Sequence, residues 1–320
     1  MTTEALAQWN LQHATATPLS GGTANQNYLV VHGPDRYFLR RRSPRYIDPA
    51  QITFDHALMR RTAEAGLIGP NPLPTVEGDT VARVGEAVYE LHRFIEGMPA
   101  DWTSLEHLRE AARTLRRFHE ATSAFNPPMP KDWPRDDAPE RIRRGLDELR
   151  TVLSDPETRA ILDRLADRTD RIESALPDAA YWSLPTQIVH GDFHPGNVLV
   201  TPQGLGLFDF DCASRQPRIR DLADGILYFC ARRDGPFDAS TITRLTRECE
   251  LDSARNRIFL EAYGPLAPEE LNALPWVIAA RWIYSRVHGR RKLPRYEWPR
   301  YATEGILTPL NQLESSVPWL

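Results

Sequence analysis

Apolar and polar positions alternate over short runs in the first hundred residues: Tyr28-Leu29-Val30-Val31, Tyr37-Phe38-Leu39, Val81-Ala82-Arg83-Val84 and Ala87-Val88-Tyr89. The turn signals His32-Gly33-Pro34-Asp35 and Glu77-Gly78-Asp79 separate them, so the pattern predicts hairpins in an antiparallel sheet. One helix interrupts the sheet. Ile52, Leu58, Met59 and Ala65 fit a single helical face, and Gly66 supplies the stop.

Beyond Gly97-Met98-Pro99 the period lengthens to that of a helix, with Leu105, Leu108, Ala112, Leu115 and Phe118 behind a cap at Thr103 or Ser104. The change predicts a lobe boundary, with a smaller lobe over residues 1–95 and a larger one over 96–320. A proline-rich stretch, Asn126-Pro127-Pro128-Met129-Pro130, leads into two more helical patterns, Ile142/Leu146/Leu149/Leu153 and Ile161/Leu165/Ile172/Leu176. From about 220 onward the chain again reads as mostly helical. Embedded in this half is one strand pair, Asn197-Val198-Leu199-Val200 and Leu205-Gly206-Leu207-Phe208, joined through Thr201-Pro202-Gln203-Gly204. The fold class expected is α+β: a small antiparallel-sheet lobe, then a mainly helical lobe that carries a hairpin.

Composition narrows the function. The 320 residues are 41% hydrophobic and 26% charged, the balance of an ordinary globular chain. With 43 acidic against 39 basic side chains there is no overall basic field to attract nucleic acid. No apolar run reaches membrane-spanning length and the start lacks a signal-peptide pattern, so a cytoplasmic chain without a membrane partner is expected. Cys212, Cys230 and Cys249 lack CxxC spacing and read as packing residues. All but two of the basic side chains are arginine, the exceptions being Lys131 and Lys292. Chemistry that needs a cation in the first 130 residues must therefore use arginine or histidine.

The chemistry concentrates on the hairpin. His190-Gly191-Asp192-Phe193-His194-Pro195-Gly196-Asn197 precedes its first strand, and Asp209-Phe210-Asp211 follows its second. An acid and an amide in a tight Gly/Pro loop, with a further acid across the hairpin, gather oxygen-bearing side chains at one end of the strand pair. Such a set suits a hard cation and a general base. Magnesium fits, because it takes few protein oxygens and completes its shell with water and phosphate. Each acid alone could equally be a turn residue.

These residues resemble the HGDxxxxN catalytic loop of the aminoglycoside phosphotransferase and choline kinase superfamily, the small-molecule branch of the protein-kinase-like fold. Asp209 resembles that family's metal-binding acid, and Asp221-Leu222-Ala223 its following DLA element. The resemblance implies a bilobal protein-kinase-like fold and ATP- and Mg2+-dependent phosphoryl transfer to a hydroxyl of a small molecule. It implies Asp192 as catalytic base and Asn197 and Asp209 as metal ligands. Asp211 and His194 are further candidates for metal or substrate contact, His190 a brace of the loop, and Asp221 an anchor through backbone hydrogen bonds.

In the smaller lobe Ser20-Gly21-Gly22-Thr23-Ala24-Asn25 resembles the superfamily's GGxxN nucleotide loop, so Gly21, Gly22 and Asn25 are candidate nucleotide residues; two glycines also make an ordinary hairpin turn. The third strand of a kinase carries a phosphate-binding lysine. Here Tyr37-Phe38-Leu39-Arg40 matches the strand pattern, and Arg40 takes that position. Strand alternation turns Arg41 to the opposite face. Asp55 is the helix acid placed to orient Arg40, unless it is simply an exposed acid. Leu91-His92-Arg93-Phe94-Ile95 would lie against adenine.

For the acceptor, the segment from Trp276 to Arg300 is rich in arginine. Arg281 or Arg286 would meet a carboxylate or phosphate on the substrate, or else lie on a solvated face. A basic site disfavours a polycationic aminoglycoside. Leu274-Pro275-Trp276 through Arg286 is similar to the superfamily's homoserine-kinase-like members. The expected substrate is thus an amino alcohol such as homoserine, or a sugar. An antibiotic-modifying phosphotransferase and a non-catalytic nucleotide-binding relative are the alternatives.

Overall fold

The computed structural model describes residues 2–19, 25–101, 103–153, 155–235 and 237–315. It opens with helix α1 (Thr2–Ala7) and strands β1 (Thr15–Leu19), β2 (Gln26–His32) and β3 (Asp35–Arg41). Helix α2 (Pro49–Glu64) follows, then strands β4 (Ala82–Val84) and β5 (Ala87–Arg93). The five strands form one antiparallel sheet in the order β1-β2-β3-β5-β4. Its core gathers Leu6 and Trp9 with Val30, Leu39, Tyr89 and Leu91. Strand β1 carries no apolar alternation, since Thr15-Ala16-Thr17-Pro18-Leu19 lies at the sheet edge, where proline is tolerated.

Local chemistry sets the bounds of α2. Asp48 caps it by accepting from Ala50 N and Gln51 N, Pro49 occupies its first turn, and Gly66 leaves it at φ +75°. Phe54, Leu58 and Met59 on its apolar face join the core of the helical half, not that of the sheet. The helix therefore spans the junction between the two halves.

The helical half begins at β6 (Met98–Pro99) and α3 (Leu105–Thr122), which Ser104 caps. Leu108, Ala111, Ala112, Leu115 and Phe118 form the buried stripe of α3. Helices α4 (Pro139–Arg150), α5 (Pro156–Ala175) and α6 (Asp178–Ser183) follow, with strands β7 (Thr186–Val189), β8 (Val198–Thr201), β9 (Gly204–Leu207) and β10 (Ser214–Pro217). β8 and β9 make the expected hairpin, which β6 extends to three strands, while β10 pairs with β7. Helix α7 (Ile219–Gly225) runs into a π-helical turn at Ile226–Cys230. The remaining helices are α8 (Ile242–Leu245), α9 (Ser253–Tyr263), α10 (Pro268–Gly289), α11 (Trp298–Thr303) and α12 (Leu307–Glu314). No helix among the described residues is long and apolar enough to cross a membrane.

This pairing brings two loops together. The 190–197 loop connects β7 to β8, and the 208–213 loop connects β9 to β10. Gly191, at φ +80°, packs against the carbonyl of Cys212, where a Cβ would stand 2.3 Å from the oxygen. Only glycine permits that approach.

Candidate active site

A cleft of about 1180 Å³ opens between the sheet and the helical half. Its floor is the pair of loops just described. Asp221, at the start of α7, ties down the first: Oδ2 accepts from His190 N at 2.7 Å and from His119 Nε2 at 2.9 Å, and Oδ1 accepts from Gly191 N at 2.8 Å. His190 reaches across to the second loop, its Nε2 donating to Phe208 O at 2.8 Å. Asp221→Asn replaces one acceptor oxygen by a donor facing a buried N–H, at a cost of about 1–3 kcal/mol per unsatisfied group. The midpoint of urea unfolding should fall accordingly.

Asp192 emerges from this anchored loop with 41% of its side chain open to the cleft. Asn197 Nδ2 donates to the backbone oxygen of Asp192 at 2.8 Å and to its Oδ2 at 3.2 Å. The amide is thereby oriented, and its Oδ1 remains available as a ligand. His194 Nδ1 accepts from Gly196 N at 3.0 Å, while its Nε2 stands 3.5 Å from Asp192 Oδ2. Burial works against ionisation of Asp192, but the His194 ring at its Oδ2, with His190 behind it, holds the carboxyl below its ordinary range. It stands in the cleft as an anion.

Phe208 N donates to Asn197 O at 2.9 Å, which sets Asp209 beside Asn197 across the hairpin. Asp209 adopts the left-handed region at φ +65°, where aspartate is one of the few side chains found. Its Oδ1 is buried without a hydrogen-bond partner. Burial pushes the Asp209 carboxyl up to about 6, and Asp211 and Asp192 add to the rise against the opposing charge of Arg40. An orphaned carboxylate oxygen in a nest of acids, beside an oriented amide, fits a hard divalent cation.

The sheet supplies the opposing charges. Arg40 lies on β3 with Nη1 3.1 Å from Asp211 Oδ1, Nη2 3.6 Å from Asp209 Oδ1 and Nε 3.7 Å from Glu90 Oε1. Its Nε has no hydrogen-bond partner, and the residue lines the cleft. Asn25 Nδ2 donates to Asp211 Oδ2 at 2.6 Å, and its Oδ1 accepts from Ser43 N at 2.9 Å. Asp211 is thus committed to Arg40 and Asn25 within the protein. Gly21 and Gly22 lie outside the described residues. His92, Arg93, Phe94 and Ile95 line the cleft where the strand leaves the sheet.

Two of the expected placements are corrected. Asp55 is neither exposed nor a partner of Arg40. It is buried, and it binds Arg42 Nη1 at 2.9 Å and Lys131 Nζ at 2.9 Å. Alternation along β3 puts Arg42 on the same face as Arg40, one step closer to α2. Arg42 also pairs with Glu90 at 3.0 Å, as does His56 at 2.7 Å. Burial opposes the Glu90 charge, yet Arg42, His56 and His92 hold it well below its ordinary range. The second correction is Arg286. It points away from the cleft and spends its guanidinium on the carbonyls of Tyr301, Thr246 and Glu304. Those carbonyls close the ends of elements with no backbone donors left to them.

Arg281 does line the cleft, but it is held bidentate by Asp224 at 2.9 and 3.0 Å and shares Asp136 with Arg220. Beside them on the wall stands Arg141, in the first turn of α4. Its Nε is buried without a hydrogen-bond partner, and its charge joins those of Arg220 and Arg281 in holding the Asp136 carboxyl below its ordinary range. Tyr228 of the π-helical turn packs its ring on His194 at 5.9 Å. Arg42, Glu90, Lys131 and Arg141 were not evident in the sequence. The face shared with Arg40 and the rarity of lysine were the signals for two of them.

Comparison with known proteins bears on the family and the fold. The sequence profile described as "Phosphotransferase enzyme family" matches residues 15–255. A homoserine kinase of Rhizobium etli is 24% identical over 303 residues, covering 92% of this chain and 84% of that protein. A homoserine kinase of Agrobacterium fabrum is 25% identical over 288 residues, covering 84% and 79%. Among solved structures, a spectinomycin phosphotransferase with ADP and spectinomycin superposes with a TM-score of 0.68 at 19% identity, covering 100% of this chain and 98% of that one. A microcompartment-associated aminopropanol kinase gives 0.68 at 17% identity, covering 100% and 99%. A choline kinase of Cryptosporidium parvum gives 0.60 at 13% identity, covering 96% and 92%.

Proposed function

The chain belongs to the phosphotransferase enzyme family, and from that premise we propose that it transfers the γ-phosphoryl group of ATP to a hydroxyl of a small molecule carrying an anionic group, an amino alcohol such as homoserine. The observation that carries the chemistry is the Asp192 carboxyl at the cleft floor, oriented by Asn197 and flanked by Asp209.

Asp192 would accept the hydrogen bond of the acceptor hydroxyl and receive its proton as the oxygen attacks. His194 and Asn197 hold the carboxylate in place. Asn197 and Asp209 would hold Mg2+, which supplies charge neutralisation at the phosphates. Arg40 would meet the phosphates with its guanidinium, wider than an ammonium but able to form paired hydrogen bonds. Asn25, which follows the glycine pair in sequence, would lie near them. The 91–95 segment would take adenine.

The nature of the acceptor is supported by the cations of the cleft wall. Arg220 and Arg281 are matched by Asp136 and Asp224, which leaves Arg141, with no ion pair among the described residues, as the cation that suits a carboxylate or phosphate and disfavours a polycationic aminoglycoside. The homoserine kinase relatives agree with a substrate that bears a carboxylate. Asp192, Asn197 and Asp209 together also speak against a non-catalytic relative.

Arg141→Gln should raise the acceptor KM roughly ten- to a hundredfold, because a hydrogen bond to a charged group contributes about 1.5–3 kcal/mol, and should leave the ATP KM alone. An unchanged acceptor KM in steady-state assays would remove Arg141 from the site.

A further inference from the structure

Lys131 stands in the proline-rich stretch after α3, yet its ammonium reaches the junction between the lobes. It donates to Asp55 Oδ1 on α2 at 2.9 Å and to the backbone oxygen of Asp211 at 2.6 Å. The Trp133 ring lies 4.4 Å and the Phe54 ring 5.4 Å from its nitrogen, and only 1% of the side chain is exposed. One side chain thus joins three segments distant in sequence: the linker, α2 and the loop that bears Asp209 and Asp211.

We propose that Lys131 is a positioning residue that fixes the 209–211 loop against α2 and so sets Asp209 for its cation; this rests on the reading of the site given above. In protein kinases a strand lysine and a helix glutamate make the pair that must be in place for activity. Here the helix acid Asp55 is occupied by Arg42 and Lys131. Arg40 is therefore released from holding the helix and lines the cleft. The lysine contacts a peptide oxygen of the loop directly, which the strand arginines do not. A compact ammonium suits this place, because its separate donors can diverge to a carboxylate and a carbonyl between two rings. The planar head of arginine cannot reproduce that arrangement.

The test compares Lys131→Met and Lys131→Arg with the unaltered protein by two readouts. The first is the Mg2+ concentration that half-saturates turnover, measured beside the acceptor KM. The second is backbone amide exchange over residues 208–213, which needs no activity. Lys131→Met is expected to raise the Mg2+ requirement by about tenfold, the scale of losing a group that orients a ligand. It should speed exchange in that segment and leave the acceptor KM unchanged. Lys131→Arg should recover only part of either.

Should Lys131→Met not fold, the double variant Lys131→Met/Asp55→Asn removes both charges and carries the same test. Unchanged exchange at 208–213 with an unchanged Mg2+ requirement would overturn the proposal. So would failure of both variants to fold, which would make Lys131 a requirement of the fold and not of the loop. Absence of turnover in the unaltered protein would sink the proposed activity alone, and the exchange measurement would still decide the role of Lys131.

Discussion

Asp192→Asn should lower turnover by about 10²- to 10⁴-fold, the usual contribution of a general base, while the ATP KM stays close to its original value. Asparagine is the informative substitution. It keeps an oxygen to accept from Asn197 Nδ2 and matches the volume of the carboxylate, so the loop retains its shape. It cannot take a proton. The loop beneath it rests on Asp221, His190 and Gly191, none of which the change touches. Rate measurements at saturating ATP and acceptor, with nucleotide affinity measured separately, distinguish loss of the base from loss of the site. Unaltered turnover would remove Asp192 from the chemistry.

Asp209→Asn should have the second large effect. A bound cation contributes several kcal/mol of charge stabilisation, so removing its carboxylate should cost about 10²-fold or more in rate and raise the Mg2+ concentration required. The variant is chosen for its backbone. Asp209 sits at φ +65°, which asparagine tolerates as well as aspartate and alanine does not. The loss would then report the charge and not strain.

Stability should move the other way. With its folded-state pKa raised to about 6, the protonated Asp209 contributes stability that is fully present below its ordinary pKa and is lost as the pH rises through 6. At neutral pH the folded chain bears that cost, and asparagine relieves it. Thermal unfolding at pH 7 should show a melting temperature equal to or above that of the unaltered protein, alongside the fall in activity. A variant that lost activity and melting temperature together would point to a structural role for Asp209.

How much of this was legible in the sequence depends on whether a residue's role is decided nearby. The hairpin was readable because Asp192, Asn197 and Asp209 lie within one supersecondary unit, and its Gly, Pro and Asp punctuation gives the loops that bring them to one end of the strand pair. Helices α2 and α3 were readable from period and caps. Strand β1 was not, because an edge strand with a proline and two threonines carries no apolar alternation.

The ionic cluster behind the cleft was misread for a different reason. Asp55 stands where the kinase resemblance pairs a helix acid with the strand cation, but the fold sends Arg40 to Asp209 and Asp211 and brings Lys131 from 76 residues away. Contacts of that span leave no periodic trace. Arg286 fails similarly. A count of arginines on α10 shows that charge must go somewhere, but backbone carbonyls are not visible in residue types, and three of them claim this side chain.

The absence of lysine before Lys131 takes on a definite meaning in the fold. Arginine carries the charge on β3, while the one lysine available from the linker sits where its compact head meets a carboxylate and a carbonyl together.

The central claim is phosphoryl transfer from ATP to a small hydroxyl compound with an anionic group. Its most direct test is transfer of labelled γ-phosphate from ATP, with Mg2+ present, to members of a panel of hydroxy amino acids, sugars and aminoglycosides. Label is expected on a carboxylate-bearing amino alcohol such as homoserine, dependent on Mg2+ and reduced by about 10²- to 10⁴-fold in Asp192→Asn. Label on an aminoglycoside alone, or on no member of the panel, would contradict it.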